Sequence, residues 1–580
     1  MTLRGSLALA GLLLLAAQMF LLPPEGWVTG DQGSKYLQTR AFATNGPLDP
    51  AIDVLARDLD PGYHFQEPKL ANRRGRLVSE FLWLLPLLSA PFYWLFGLRG
   101  LYVVPAISVG VVVVAAAALA RRLGGGTGVH AAWIAVLVTP MFVYGLEFWE
   151  HAPAVACVMI AAALAYPSGD DRADRRRLIG AGAAIVAGAL FREEAAVALP
   201  ALVIARAGAV RHDRIRTLIA GGWWMAAGAA VVFAASVPVN LLIYGSALPM
   251  HVTHDAWDVA TASPYLNVRR ELVVRLVLPL SHAAVFMGAV TAGIVATAVQ
   301  TWRRRGDRAT RDDRITRVLL AVIHAAAAVM LIVGVALPIW NMATGMRGNE
   351  AYRVTSAAHT WTFAAALLYW PWYRDALDGA AARYLLVAGA SIAALTFGLV
   401  PTDGGSQWSP RFFLAAAPLL AIPIATALMV TRNGGAVGRL TVPHAVVGAI
   451  FAASIAMQVT GIGWVQRSKA RNARLTAWIA ARTAPGDVLI SDVFWFHEVT
   501  ATLAATRRQL FSWSAADVPA MAARAAGRGF RRFWLITSPE LTGYQAPAML
   551  DVPGSRCRFA SGPPMALGEL LVREYNCEGN

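Results

Sequence analysis

Charge, lysine and cysteine are all scarce in this chain, and each scarcity excludes something. Only 15% of the 580 residues are charged and 57% are hydrophobic, whereas a soluble globular protein carries roughly 25% charged residues. The deficit runs through most of the first 460 residues, which excludes a greasy domain set beside a polar one. Lysine stands only at Lys35, Lys69 and Lys469; every other basic residue is arginine. The net charge of +16 is carried by arginines in short loops between apolar runs, so a nucleic-acid-binding face is rejected. Of the three cysteines, Cys157 lies in an apolar run, while Cys557 and Cys577 lie in a C-terminal segment of mixed polarity. The glycine run Gly124-Gly125-Gly126-Thr127-Gly128 lacks the Gly-Lys-Ser/Thr ending of a nucleotide loop and is a plain turn. No internal repeat is visible.

What the chain has in abundance is apolar runs of about 20 residues, each enough to cross a bilayer core of ~30 Å. A backbone in lipid must satisfy its own hydrogen bonds, so these runs are expected to be helices. Thirteen spans are predicted, at 6–22, 101–120, 129–146, 152–167, 178–191, 194–208, 217–243, 273–299, 317–339, 358–373, 384–400, 411–430 and 441–461. The first follows Arg4 and is read as a retained helix, since Leu21-Leu22-Pro23-Pro24 makes a poor cleavage site. The stretch 77–97 is apolar too but carries Glu80, Pro86, Pro91 and many aromatics. Arginine-rich short loops favour the cytoplasmic side. All of them fall on one side only if 77–97 does not cross, so it is read as a juxtamembrane or re-entrant helix pair. The N-terminus is then cytoplasmic in an inner or plasma membrane.

The predicted fold class is thus an α-helical polytopic membrane protein with a small C-terminal α/β domain outside the cytoplasm. Residues 1–461 form the transmembrane part, with a first outer loop over 23–100, and 462–580 the outer domain. In the latter, Val488-Leu489-Ile490-Ser491 and Phe533-Trp534-Leu535-Ile536 read as buried strands, with an amphipathic helix over 515–528 between them. Cys557 and Cys577 lie where oxidation is permitted and are candidates for a disulfide; the alternative is two buried thiols.

The outer face collects the ionisable residues. Acidic groups flush with span ends are costly unless they pair or serve. Asp31 follows the first span directly and is suited to general-base work; it also suits a helix N-cap. Glu67, in Glu67-Pro68, either positions a substrate hydroxyl or is a solvated turn carboxylate. Glu147, Glu150 and His151 flank Trp149 and suit sugar or phosphate binding, or an interfacial belt of ion pairs. In Arg192-Glu193-Glu194 the guanidinium suits a phosphate clamp, or an internal Arg–Glu pair. His251, His254 and Asp255 have loose spacing for a metal triad; a loop histidine pair is the default and no metal site is assigned. Trp408-Ser409-Pro410-Arg411 opens a late span, where arginine opposes the helix dipole and suits an anion.

Together these residues resemble a family. The Asp after span one, the long first loop with juxtamembrane helices and the later Glu-Pro are similar to the C superfamily of glycosyltransferases (GT-C). So are Arg121-Arg122-Leu123-Gly124 after span two, Glu147…Glu150-His151 after span three, and Gln407-Trp408-Ser409-Pro410-Arg411. That superfamily includes protein O-mannosyltransferases and the lipid A aminoarabinose transferase. The resemblance covers about residues 1–430. It implies a polyprenyl-phosphate sugar donor and a lipid, glycan or protein acceptor. It also implies an active site at the outer membrane face, with Asp31 matching the first-loop acid and Glu67 with the Glu147, Glu150 and His151 group matching more loosely. Many members carry Asp-Glu where this chain has Asp31-Gln32. No cofactor is implied, and a divalent metal is optional. The alternative is a multi-pass transporter or lipid flippase, which places charge near mid-span and repeats its halves; a membrane sensor is a third.

Overall fold

In the computed structural model, the described residues are 2–168, 170–210, 213–252, 267–270, 272–273, 280–305, 313–337, 339–340, 356–400, 408–433, 442–514, 516–552, 557–567 and 569–579. In chain order the first elements are α1 (Leu3–Phe20), α2 (Asp31–Asn45), β1 (Leu70–Arg73), β2 (Arg76–Ser79) and α3 (Leu84–Phe96). Next come α4 (Val103–Gly124), α5 (Gly128–Leu137), α6 (Met141–Gly145), α7 (His151–Ala165), α8 (Asp171–Ala189), α9 (Ala198–Ala209) and α10 (Arg214–Tyr244). Then follow α11 (Leu280–Arg305), α12 (Asp313–Leu331), α13 (Gly379–Leu399), α14 (Ala416–Asn433) and the long α15 (Val442–Arg482). The C-terminal part holds β3 (Val488–Ser491), α16 (Phe494–Val499), β4 (Arg508–Phe511), α17 (Asp517–Gly527), β5 (Arg532–Thr537), β6 (Met549–Asp551), β7 (Cys557–Ser561), β8 (Met565–Leu567) and β9 (Leu570–Gly579).

Among the described residues, seven helices are long and apolar enough to cross a membrane, by length and composition. They match seven of the thirteen predicted runs. The others hold helices that are shorter, broken or more charged. The run 129–146 is divided between α5 and α6 because Pro140 has no N–H to continue the ladder. The run 358–373 is broken: a 3-10 helix, Thr362–Tyr369, separates the short α-helical turns Ala357–Thr360 and Trp370–Tyr373. The stretch 77–97 is not a helix pair: its first residues finish the hairpin β1–β2, and α3 is its one helix. Apolar side chains point outward from the long helices, as with Phe20 (79% exposed), Ile215 (77%) and Trp223 (70%). In water such faces would aggregate; in lipid they are at home.

The chain divides into two compact units. The first comprises residues 1–16, 104–236 and 254–463 and is helical. Backbones approach closely there: a Cβ at Gly182 would lie 1.8 Å from the Met225 carbonyl, so only glycine lets α8 and α10 meet.

The second unit comprises residues 17–103, 237–253 and 464–580. Its sheet runs β4-β3-β5-β9-β7-β6, with β8 on β9. Strand β3 pairs parallel with β4 and β5, while β9 runs antiparallel to β5. Side chains alternate across the strands. Val488, Ile490 and Leu535 face α17, through Val518, Met521 and Ala522. Leu489, Trp534 and Ile536 face Leu475 and Ile479 of α15 and Phe496 of α16. The first core also takes in Ala56 and Leu59, with Phe65 packed against it. The long first loop is therefore built into the C-terminal domain. Its ties include the Phe511 N–H donating to the Phe65 carbonyl at 2.8 Å, Arg508 on Asp58 and Arg524 on Asp60. Cys577 is disulfide-bonded and sits on β9, whose partner strand β7 begins at Cys557. Cys157 is a free thiol.

Candidate active site in the second unit

Helix α2 starts where the sequence expects, but Asp31 does not cap it. Gly30 occupies the cap position and Asp31 is the first helical residue, half-buried. The neighbouring Gln32 has a local duty: its Oε1 accepts from the Val28 N–H at 2.6 Å, tying the end of the preceding loop to the helix. An amide performs that task without adding charge beside Asp31. One turn on, Ser34 Oγ donates to Glu67 Oε1 at 2.5 Å, which brings Glu67 to the same helix face as Asp31.

Glu67 is 5% exposed. Burial is the largest reason its carboxyl is pushed up to about 7; the Ser34 hydroxyl and Lys69 oppose the shift, while Asp31 and Glu80 add to it. A third carboxyl joins them from far along the chain. Glu498, on α16, is 4% exposed and lies over the head of α2: a Cβ at Gly30 would sit 1.4 Å from its Oε2. Its carboxyl is raised well above the usual range by burial first, then by Glu67 and Asp31, with Lys69 and Lys35 pulling the other way. Lys35 is buried, and its ammonium stands 4.2 Å above the Phe81 ring; Lys69 stands 5.9 Å from the same ring. Two of the chain's three lysines thus stand at one aromatic face beside three carboxyls. Next to Glu498, burial holds the His497 imidazole down to about 4, which leaves it neutral. A small cavity behind Glu67 is lined by Gln66, His497 and Gln509 among apolar neighbours.

The remaining candidate residues gather in the helical unit. Glu150 and His151 stand at the start of α7, and Glu147 is fully buried just before it. Arg192 donates to Glu150 Oε1 at 2.9 Å and grips Glu194 through two further nitrogens. Of the two readings of Arg192, the internal Arg–Glu pair is the one formed. Glu193 opens the adjoining 3-10 turn, Glu193–Val197. Arg411 stacks 4.9 Å over the Phe412 ring, with Arg192 5.5 Å from the same ring. Both arginines line a small cleft with His151 and Glu194. Trp408 is fully buried; its indole donates to Gln458 Oε1 at 3.2 Å, and its carbonyl accepts from Tyr144 Oη at 2.6 Å. Its place is inside the helix packing. Gln407, His254 and Asp255 lie outside the described residues.

Among the described residues no group of three or more His, Cys, Asp or Glu side chains is arranged to hold a metal ion. The first loop does contain an acidic pair, Asp58-Leu59-Asp60, but its carboxylates engage Arg508 and Arg524.

No family model and no curated protein matches the chain. Several solved structures are similar to it. One is ArnT from Cupriavidus metallidurans bound to undecaprenyl phosphate, 14% identical over 98% of this chain and 97% of that one, with a TM-score of 0.42. Another is the archaeal oligosaccharyltransferase AglB from Archaeoglobus fulgidus, in complex with an inhibitory peptide and a dolichol-phosphate. It is 14% identical over 93% of this chain and 69% of that one, with a TM-score of 0.46. The apo form of the Archaeoglobus enzyme is 14% identical over 93% and 70%, with a TM-score of 0.49.

Glu498 is the residue that sequence reading missed. Nothing local marks it: Phe494–Val499 is a short amphipathic helix in a soluble-looking domain. The one available signal was the lysine count, since the compact ammoniums of Lys35 and Lys69 mark the place where the carboxyls gather.

Proposed function

We propose that the chain is a GT-C glycosyltransferase of the membrane. It takes a hexose or pentose from a polyprenyl-phosphate donor and passes it, with inversion, to an acceptor hydroxyl at the extracytoplasmic face. The observation that carries this reading is Asp31: a half-buried acid at the head of a loop helix, beside two buried carboxyls and two lysines.

The acceptor oxygen forms a bond to the anomeric carbon as the bond from that carbon to the donor phosphate oxygen breaks. The acceptor proton passes to the Asp31 carboxylate, and polyprenyl phosphate leaves as the anion. An inverting transfer needs a base on one side and charge stabilisation on the other. Lys35 and Lys69 supply cations near the base. Glu67, anchored by Ser34, is placed to orient a hydroxyl in its protonated form. The arginine-lined cleft of the helical unit is suited to an anion: Arg411 and His151 line it beside Arg192, which Glu194 already grips.

The test is Asp31→Asn, assayed with polyprenyl-phosphate hexoses and pentoses and by mass spectrometry of envelope glycans. A fall of about 10²- to 10⁴-fold in transfer, with membrane insertion unchanged, is expected from loss of a general base. Normal turnover by that variant removes the base. A purified chain that moves a labelled solute across liposomes without altering its covalent structure would make the protein a transporter instead.

A further inference from the structure

We infer that Glu498, supplied by the C-terminal sheet domain, is a positioning residue of the Asp31 site, its side chain filling the space over Gly30 and fixing the head of α2. The inference rests on the transferase reading of Asp31.

The packing is specific. Gly30 and Gly33 lie three residues apart and so share one helix face. A Cβ at Gly33 would stand 1.8 Å from the Glu498 carbonyl oxygen, and one at Gly30 would stand 2.5 Å from its Cδ. Glycine inside a helix is unfavourable by about 1 kcal/mol against alanine. Here it is the lack of side chains at both positions that admits α16. Glu498 itself is 4% exposed, in a place where a charged group would be expensive.

The groups acting on Glu498 are Asp31 and Lys35 from α2 and Glu67 and Lys69 from the first loop. His497 beside it is uncharged at neutral pH. Three carboxyls this close do not all ionise together. Asp31 must be an anion to accept a proton, and burial pushes its two partners, Glu498 and Glu67, toward the neutral form. A neutral carboxyl beside Asp31 holds the helix end without repelling the base. Ionisation of Glu498 would put a further negative charge beside Asp31 and Glu67 and displace the head of α2.

The experiment compares Glu498→Gln and Glu498→Ala in the full-length chain, using a panel of polyprenyl-phosphate hexoses and pentoses as donors. Glutamine mimics the neutral acid. Glu498→Gln is expected to keep transfer close to the unmutated level near pH 6. Glu498→Ala is expected to lose about 100-fold in kcat with little change in KM, the size of effect that a misplaced catalytic group produces. A glutamine variant as inactive as the alanine one at every pH, or an alanine variant as active as the unmutated chain, overturns the proposal. Thermal unfolding across pH gives a second, activity-free arm. The unmutated chain should lose stability with rising pH more steeply than Glu498→Gln, and equal slopes also overturn the proposal. Absence of transfer by the unmutated chain on every donor counts against the transferase reading, and the unfolding arm still judges Glu498.

Discussion

At the scale of single residues, the acids of the first loop differ by environment more than by type. Glu67 is buried, and its proton leaves only at about 7, whereas the unfolded chain releases the same proton near the ordinary glutamate value of 4.5. Between these two values the folded state binds more protons than the unfolded one, so stability falls as pH rises through the window. Thermal midpoints measured from pH 4 to pH 8 should show that decline, and Glu67→Gln should flatten it. Lys35 supplies the opposite lever. It lies buried over Phe81, and its charge draws down the raised carboxyl of Glu498. Lys35→Met keeps the bulk but removes the cation, so the carboxyls lose a counter-charge. Its unfolding midpoint should drop, and by more at pH 8 than at pH 5. Asp31 stood out in the sequence as an acid just after a span, and Glu67 through its Glu-Pro pair; that Ser34 joins Glu67 to the helix of Asp31 was not readable. The pairing of Arg192 with Glu150 was left open, because partners 42 residues apart cannot be matched from spacing alone.

At the scale of elements, α2 and α16 depend on each other. Gly30→Ala would meet the movable end of the Glu498 side chain, whereas Gly33→Ala would meet its backbone carbonyl, which cannot turn away. Gly33→Ala should therefore be the worse of the two, lowering stability by about 1–3 kcal/mol as overpacking does. Thermal or denaturant unfolding of both variants decides the order. The strands β3 and β5 were readable beforehand. Val488–Ser491 is buried throughout, and such parallel strands appear as unbroken apolar runs. The hairpin β1–β2 was not readable, because Leu70–Ser79 is short, arginine-rich and outwardly turn-like. The seven longest apolar helices coincide with predicted spans, since length and hydropathy alone define them. The shorter ones blur where proline or tight turns divide a run, as at Pro140.

At the scale of the whole molecule, the sequence shows a change in composition near residue 462, and the second unit resumes at residue 464. What composition could not show is that the first loop shares a hydrophobic core with the tail, since Ala56 and Leu59 pack with Val488 and Leu535. A chain stopped after residue 463 should still insert but leave residues 55–80 open to added protease, whereas the full chain resists. Cleavage patterns on membrane vesicles would show this. The shared core also ties the site to the order of synthesis. The Asp31 loop leaves the ribosome early, yet the strand that completes its supporting sheet, β9, is nearly the last segment made. Contacts of such long separation form late. A nascent or prematurely terminated chain would then carry Asp31 in an unassembled loop, its neighbouring carboxyl on α16 not yet in place.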